Sequence, residues 1–421
     1  MLNFFIKKTA YGFLVLLGAV TFVFFLFNMA PGDPAREIAG ENASIDVIRN
    51  IERKYDLDLS IGKRYVLYLN DLSPFSVHSR TAESRIYFDT SEYSGFRLFG
   101  LGSEKGLYFK KPFLMRSYFS DKSVSETLSE VIPGTFVLAV VSMVLALFFG
   151  LILGMFAAVK RDSSYDRFIL VISALGMSGP SFFMAILIGW IGAVLWYDQI
   201  TVPLFVIIAI VSAVMFMLLR KKNGGQAAAQ AFVLVMSAWL IGVLLESFFG
   251  IKLAVLHYGI NLPGTGLPLT GSLYEVDPWQ GRRFAPANMI LPVLTLMIRP
   301  LAVIVQLTRS SMLDVMSQDY IRTARAKGLS EIRIVLKHAL RNALNPVITA
   351  VSGWFASLLA GAVFVEFVFG WKGLGQEMFT AIEKQDLPVV MGGVIFISFT
   401  FVIINMIVDI LYGVIDPRIR S

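Results

Sequence analysis

The sequence predicts an all-α, polytopic membrane protein, and three observations predict it. Of 421 residues, 56% are hydrophobic and the mean hydropathy is +0.68. A soluble domain of this length cannot hide so much apolar surface, because ordinary chains are about half apolar and the remainder faces water. Charged residues make up only 16% and cluster between long apolar runs. Each run is close to the ~20 residues that cross a ~30 Å hydrocarbon core as a helix, and none shows the alternation of a membrane β-strand.

Composition also excludes chemistry. The chain has no cysteine, which removes disulfide frameworks, cysteine–zinc clusters and thiol catalysis. The three histidines, His78, His257 and His338, are too dispersed to suggest a metal site. A net charge of +7 could invite a nucleic acid, but in a membrane protein it reflects the cytoplasmic bias of lysine and arginine, so no nucleic-acid partner is expected.

Eight apolar stretches are candidate spans: Tyr11–Ala30, Pro133–Val159, Phe168–Trp196, Thr201–Leu219, Ala227–Phe249, Met289–Leu307, Pro346–Phe369 and Pro388–Ile415. The first follows Lys7 and Lys8, as a signal peptide would. It is longer than a secretory apolar region, and Pro31 disfavours cleavage after Ala30, so residues 1–30 are read as an uncleaved first helix. The third contains Gly176-Met177-Ser178-Gly179-Pro180, where proline removes a backbone bond and glycine permits a bend. This is either a kink at a helix contact or a break lining a transport pathway, as in broken transporter helices. Residues 201–249 are the weakest pair and read as an inserted hairpin with a basic tip, Arg220-Lys221-Lys222-Asn223-Gly224-Gly225. Six core spans remain without it, and the orientation of the others is unchanged.

Orientation follows from the short loops. With the N-terminus inside, the cytoplasmic side receives Lys7, Lys8, Lys160, Arg161, Arg167, the hairpin tip, the basic residues from Arg309 to Arg341, and Arg418 and Arg420. The short outer loops hold far fewer, Lys252, Arg282, Arg283, Lys372 and Lys384. This asymmetry places both termini in the cytoplasm. The long segment 31–132 is then extracytoplasmic, and 133–421 forms the remaining transmembrane domain. Within 31–132, Ser44 can cap a helix carrying Ile45, Ile48, Ile51 and Tyr55 at helical spacing. Further apolar-periodic pieces are Tyr65–Leu69 and the run from Val124 towards Ile132, and Ser79–Lys111 reads as short strands or irregular structure. The segment is compatible with a docking domain for an external partner and equally with a cap over a pore.

The most informative stretch is the loop 309–345. Asp319 can cap a short helix; Arg322, Arg325 and Lys327 fall towards its carbonyl end, and Gly328 supplies the left-handed stop. Tyr320, Thr323, Ala324 and Lys327 share one side by spacing, and the small residues Thr323, Ala324 and Ala326 would let another surface approach closely. A second helix starts at Ser330 with Glu331 at its positive end. Ile332, Val335, Leu336, Ala339, Leu340, Ala343 and Leu344 form its apolar face, and Arg333, Lys337 and Arg341 a basic stripe. Physics alone leaves two readings: ordinary positive loop charge lying on lipid, or a rigid element that fits a partner's cleft.

The run Asp319-Tyr320-Ile321-Arg322-Thr323-Ala324-Arg325-Ala326-Lys327-Gly328 resembles the EAA loop of ABC importer permeases, in the wording of the dipeptide/oligopeptide (DppB/OppB-type) subfamily. The general pattern opens its block with glutamate; here those first positions are Arg322, Thr323 and Ala324, a departure that matches the peptide subfamily. Pro31-Gly32-Asp33-Pro34, Leu307–Leu313, Arg341–Pro346, Phe369–Gly375 and Asp416-Pro417-Arg418 resemble the family's other motifs. The resemblance covers nearly everything except the inserted hairpin and the aromatic part of the 31–132 segment.

It implies the type I ABC importer permease fold and a bacterial inner-membrane location. It implies that this chain works with a second homologous permease, two ATP-binding-cassette ATPase subunits and an extracytoplasmic substrate-binding protein. Asp319, Tyr320, Arg322, Thr323, Ala324, Arg325, Ala326, Lys327 and Gly328 would then couple to the ATPase. ATP and magnesium belong to the partners and this chain binds no cofactor, in keeping with the lack of a G-x-x-x-x-G-K-[ST] loop. The competing class is a secondary, proton-coupled transporter, which would use intramembrane ionisable groups. Candidates are Glu246, Arg299, Glu366 and Asp409, for each of which a structural role is the simpler reading.

Overall fold

The computed structural model describes residues 2–29, 33–40, 43–82, 84–102, 104–203, 206–208, 211, 224–249, 259–277, 279 and 281–415. α1 (Leu2–Asn28) is apolar on all sides, and its polar Thr21 and Asn28 hydrogen-bond back to the carbonyls of Leu17 and Phe24. A short α2 (Pro34–Ala39) starts with proline behind Asp33, whose carboxylate accepts from the Ala35 amide. α3 (Ile45–Lys54) and α4 (Ile61–Leu72) follow. Ser44 occupies the N-cap position of α3 as expected, but its side chain makes no capping bond. β1 (Phe75–Ser79), β2 (Gly95–Leu101) and β3 (Lys105–Lys110) form an antiparallel sheet in the order β1-β3-β2.

α5 (Val124–Val159) runs through Pro133 without ending. α6 (Ser164–Ser178) and α7 (Ser181–Gly189) are separated by Gly179-Pro180, and α7 passes into a π-helical turn, Trp190–Leu195. β4 (Gln199–Pro203) comes next, then α8 (Gly224–Phe249) and β5 (Gly259–Pro263), which pairs antiparallel with β4. β6 (Tyr274–Asp277) and β7 (Gly281–Phe284) form a hairpin. α9 (Ala287–Met316), α10 (Asp319–Ala326) and α11 (Glu331–Arg333) lead through a second π-helical turn, Ile334–Ala339, into α12 (Leu340–Gly361). The chain closes with α13 (Val363–Val368), α14 (Leu374–Glu383) and α15 (Leu387–Ile415).

The protein is therefore mostly helical, and the all-α expectation is corrected by the three small antiparallel sheets. Their strands are β-branched and aromatic stretches punctuated by glycine and proline, which suit short pleated pairs better than helix. The span count also changes. Among the described residues four helices, within α1, α5, α9 and α15, are long and apolar enough to cross a membrane, and α6 with α7 makes a fifth if the bent pair is one span. The expected span Thr201–Leu219 begins instead as strand. Residues 206–208 and 211 are helical, and the remainder of 204–223, with most of the basic tip, lies outside the described residues. Pro346–Phe369 is helical but interrupted at Ala362 between α12 and α13.

The chain divides into two compact units, Met1–Val137 with Ala356–Phe367 and Lys372–Ser421, and Leu138–Phe355 with Val368–Trp371. In the first, α1 lies along α15, with Gly12 against Val402. Val20 and Phe24 of α1, Tyr68 of α4, Tyr118, and Leu387 and Met391 of α15 form one buried cluster. Val124, Leu128 and Val131 of α5 meet Leu374 and Met378 of α14 in another. In the second unit, α9 is the central helix, packed by α6, α7 and the second half of α5. Pro292 and Pro300 lie inside α9, tolerated where neighbouring helices and side chains compensate the lost backbone bonds.

Candidate functional site

The loop 309–345 forms a rigid elbow on the end of α9. α10 begins after Gln318, and Gly328, at φ +74, supplies the left-handed residue that ends it. Ile321 and Ala324 point inward onto Met312 of α9, Ala158 of α5, Ile334 and Ala343. Tyr320, Arg322, Thr323, Arg325, Ala326, Lys327 and Gly328 are exposed. Side chains brace the elbow: Asn342 donates to the Tyr320 hydroxyl at 2.7 Å, Arg325 pairs with Glu331 at 2.9 Å, and the Thr323 hydroxyl donates to the Asp319 carbonyl.

Three expectations change here. Asp319 is not the cap. Gln318 holds that position without a side-chain bond, and Asp319 is the first helical residue, its carboxylate exposed and 3.5 Å from Arg322. A negative charge in the first turn still suits the helix dipole. Ala324 does not face outward with Tyr320 and Thr323; it is 6% exposed, because a stripe at spacing three turns it into the elbow's own core beside Ile321. The surface free for a partner is thus Tyr320, Arg322, Thr323, Arg325, Ala326 and Lys327.

The predicted apolar face of the second helix holds in its second half and fails in its first. Ala339 and Ala343 are buried as expected and Val335, Leu340 and Leu344 partly so, but Ile332 and Leu336 are exposed and Ile334 takes the buried place at the start of the face. The π turn from Ile334 to Ala339 is the reason: its wider repeat puts Ile332 and Leu336 out of phase with Ala339 and Ala343, which a uniform 3.6-residue period cannot anticipate. The basic stripe of Arg333, Lys337 and Arg341 is exposed as expected. The elbow is therefore a predominantly cationic knob with an apolar root.

The second predicted feature, Gly176-Met177-Ser178-Gly179-Pro180, is a full break rather than a kink. α6 and α7 meet at 107°. Pro180 sits at the N-cap of α7, and Gly179 in extended backbone ends α6. Gly176, Gly179 and Pro180 line an open, almost wholly apolar groove of about 680 Å³, together with Phe183 and with Ile298 and Ala302 of α9. A Cβ at Gly176 would lie 3.0 Å from Ile298 Cγ2 and 3.6 Å from Ala302 Cβ, so the glycine sets how closely α6 approaches α9.

Of the four ionisable candidates, Glu366 is completely buried. Its carboxylate accepts from the Thr135 hydroxyl and the Gly375 amide, both at 2.6 Å, and from the Gln376 amide at 3.3 Å. It therefore satisfies the otherwise unpaired amides at the start of α14, and Gly373 and Gly375 leave the room for it. Arg299 is exposed, with its guanidinium 5.8 Å from the centre of the Trp354 ring. The side chains of Glu246 and Asp409 lie outside the described residues.

Two constellations escaped sequence reasoning. Asp166, buried, and Arg309, partly exposed, form a bidentate ion pair between α6 and α9. Gly150 and Gly154 let α5 close onto Ile304 and Thr308 of α9. The Gly150-Leu151-Ile152-Leu153-Gly154 spacing was a readable signal for the second, being the small-xxx-small pattern of close helix contacts in membranes. Nothing local marks Asp166 as the partner of Arg309.

Residues 233–421 match the family described as the binding-protein-dependent transport system inner membrane component, and residues 1–83 match the N-terminal domain of such membrane components. The glutathione transport system permease protein of Escherichia coli strain K12 is 31% identical over 421 residues, spanning 100% of this chain and 99% of that protein. The di/tripeptide transport system permease protein of Pseudomonas aeruginosa strain UCBPP-PA14 is 30% identical, with 100% and 99% covered. The dipeptide transport system permease protein of Bacillus subtilis strain 168 is 29% identical, with 96% and 94% covered. The chain belongs to the family of binding-protein-dependent transport system inner membrane components: it is a multi-pass permease subunit of an ABC importer and not itself an enzyme.

Proposed function

We propose, from that membership, that this chain forms a substrate path with a second homologous permease, receives substrate from an extracytoplasmic binding protein and is driven by two separate ATP-binding-cassette subunits. Peptides of a few residues are the proposed cargo, the class named for the relatives from Bacillus and Pseudomonas. Both termini lie in the cytoplasm, in keeping with the lysine and arginine bias of the short loops. The core is the permease fold of about six spans to which residues 201–249 are an insertion.

The observation that carries the reading is the elbow. Its root is apolar and buried, its outer face is exposed and mostly cationic, and both turns are stiffened, by Gly328 and by the Tyr320–Asn342 and Arg325–Glu331 contacts. A knob so built can be gripped and moved as one piece. Closure of the ATPase subunits on ATP displaces α10, and α9 carries the displacement to the break at Gly179-Pro180, which lines the path. Ala326→Asp tests this, since Ala326 is exposed and the change leaves the elbow's core intact. The expected result is at least a tenfold loss of substrate uptake by the reconstituted complex at normal membrane insertion. Unchanged uptake overturns the coupling role of α10.

A further inference from the structure

We propose that Asp166 and Arg309 are positioning residues for coupling: their ion pair locks α6 to α9, so that the elbow and the first half of the broken span move as one body. The inference rests on α10 being the element displaced by the ATPase. It starts from burial. The Asp166 side chain is 2% exposed and that of Arg309 20%. Arg309 donates through Nε to Oδ1 at 2.5 Å and through a terminal nitrogen to Oδ2 at 2.7 Å, the two-pronged geometry in which a guanidinium fixes orientation as well as distance.

The carboxylate does more than neutralise the arginine. Oδ2 also accepts from the Asp162 amide at 2.9 Å, and the Asp166 amide donates to the Ser163 hydroxyl at 3.2 Å. Asp162 has φ +61, the left-handed residue of the turn joining α5 to α6. One carboxylate thus holds the α5–α6 turn and α9 together. Along the same side of α9, Gly150 and Gly154 bring α5 into backbone contact: a Cβ at Gly154 would lie 2.6 Å from Thr308 Cβ and 2.8 Å from the Val305 carbonyl. Ala158 then reaches Met312, Ile321 and Ala324 at the root of the elbow.

These contacts are rigid in different ways. The glycine contact sets how closely α5 and α9 approach and is made by van der Waals packing alone. The forked ion pair adds a charge-assisted, directional bond that fixes α6 on α9 in both distance and orientation. Arg309 lies about two helical turns before the end of α9, so axial motion of the elbow reaches Asp166 directly. α6 then carries it to Gly179-Pro180, where the helix is already broken and can pivot. Ordinary helix contacts would let the motion dissipate before the break; the pair prevents it.

The test uses the complete transporter, with both permeases, the ATPase subunits and the binding protein, in vesicles. Arg309→Lys keeps the charge and loses the fork. The expected result is normal copurification of the subunits, with ATP consumed per substrate imported raised at least about threefold. An assembled Arg309→Lys complex with the wild-type ratio overturns the proposal. Should the variant fail to assemble, spin labels at Val171→Cys on α6 and Ser310→Cys on α9 decide, in a permease chain that has no cysteine of its own. Their separation is expected to be the same with and without ATP trapped by vanadate, and a change approaching a helical turn, about 5 Å, overturns the proposal. Ala326→Asp is the control. Normal coupling in that variant removes the underlying reading, whereas loss of coupling there beside a normal Arg309→Lys removes only this one.

Discussion

The elbow and the 33–123 segment both interrupt the apolar chain with charge, and they are stabilised in opposite senses. The elbow buries Met312, Ile321, Ala324 and Ile334 and leaves its cations exposed. The sheet of the other segment does the reverse. Its inner face buries His78 and Lys110 against Phe88, Tyr93 and Tyr108, while Phe75, Phe96 and Phe109, in register across all three strands, are exposed. Lys110, 2% exposed, donates to the Asp71 carbonyl and lies 4.5 Å from the centre of the Tyr93 ring, whose hydroxyl donates to the Asp71 carboxylate at 3.0 Å. The difference teaches that charge in the sequence does not reveal which side of an element faces water. In the elbow charge is a surface, and in the sheet it is the core.

The comparison can be broken most decisively at the elbow. Ile321→Asp places an unpaired charge in an apolar root and should cost about 3 kcal/mol or more. The expected outcome is protease cleavage near Gly328 and no copurification with the ATPase subunits; retained assembly would mean that the root is not what shapes the knob. Next in size is Lys110→Met, which keeps the volume but removes one of two donors to the Asp71 carbonyl, the Phe113 amide at 3.0 Å remaining. A loss of about 1–3 kcal/mol is expected, read as faster hydrogen exchange in β1 and β3.

The polar core of the sheet holds two groups that titrate in opposite senses. Burial pushes the Asp71 carboxyl up to about 6 from 3.8, with Lys110 and the Tyr93 hydroxyl acting against it. Its contribution is therefore present below about 3.8 and lost as pH rises through 6. Burial, helped by Lys110, pushes His78 down to about 4 from 6.5. Its contribution is present above 6.5 and lost as pH falls through 4. The two oppose each other, so wild-type protection should be nearly flat between pH 4 and 6. Over that window His78→Phe should lose protection as pH rises, and Asp71→Asn should gain it. A steep wild-type profile would show that the two are not balanced. The smallest effect belongs to the elbow's surface: Glu331→Gln removes an exposed pair with Arg325 and should change stability by under about 1 kcal/mol.

The sheet face and the elbow were legible to different degrees for one reason. Gly328 was readable because a left-handed stop is a property of one residue and its two neighbours. The short strands in 79–111 were readable for the same kind of reason, from aromatics set between turn residues. Ala324 was misplaced because spacing shows which residues share a helical face, not which face docks. The first half of the second helix was misread because one π turn puts Ile332 and Leu336 out of phase with the buried Ala339 and Ala343. Gly179-Pro180 marked a break, but its 107° angle belongs to the helices packed on either side.

By itself the sequence determined that the chain enters a membrane, that it has no metal-binding or thiol chemistry built on cysteine, and that a short cationic helix stops at Gly328. These properties are sums over neighbouring residues, and hydrophobic transfer and backbone preference act locally. Tertiary structure alone decided that Asp166 meets Arg309 across 143 positions, that Glu366 serves the start of α14, and that Lys110 is core while Phe96 is surface. Each depends on which distant helix or strand arrives alongside. A residue's own chemistry states what it needs, and only packing settles what it is given.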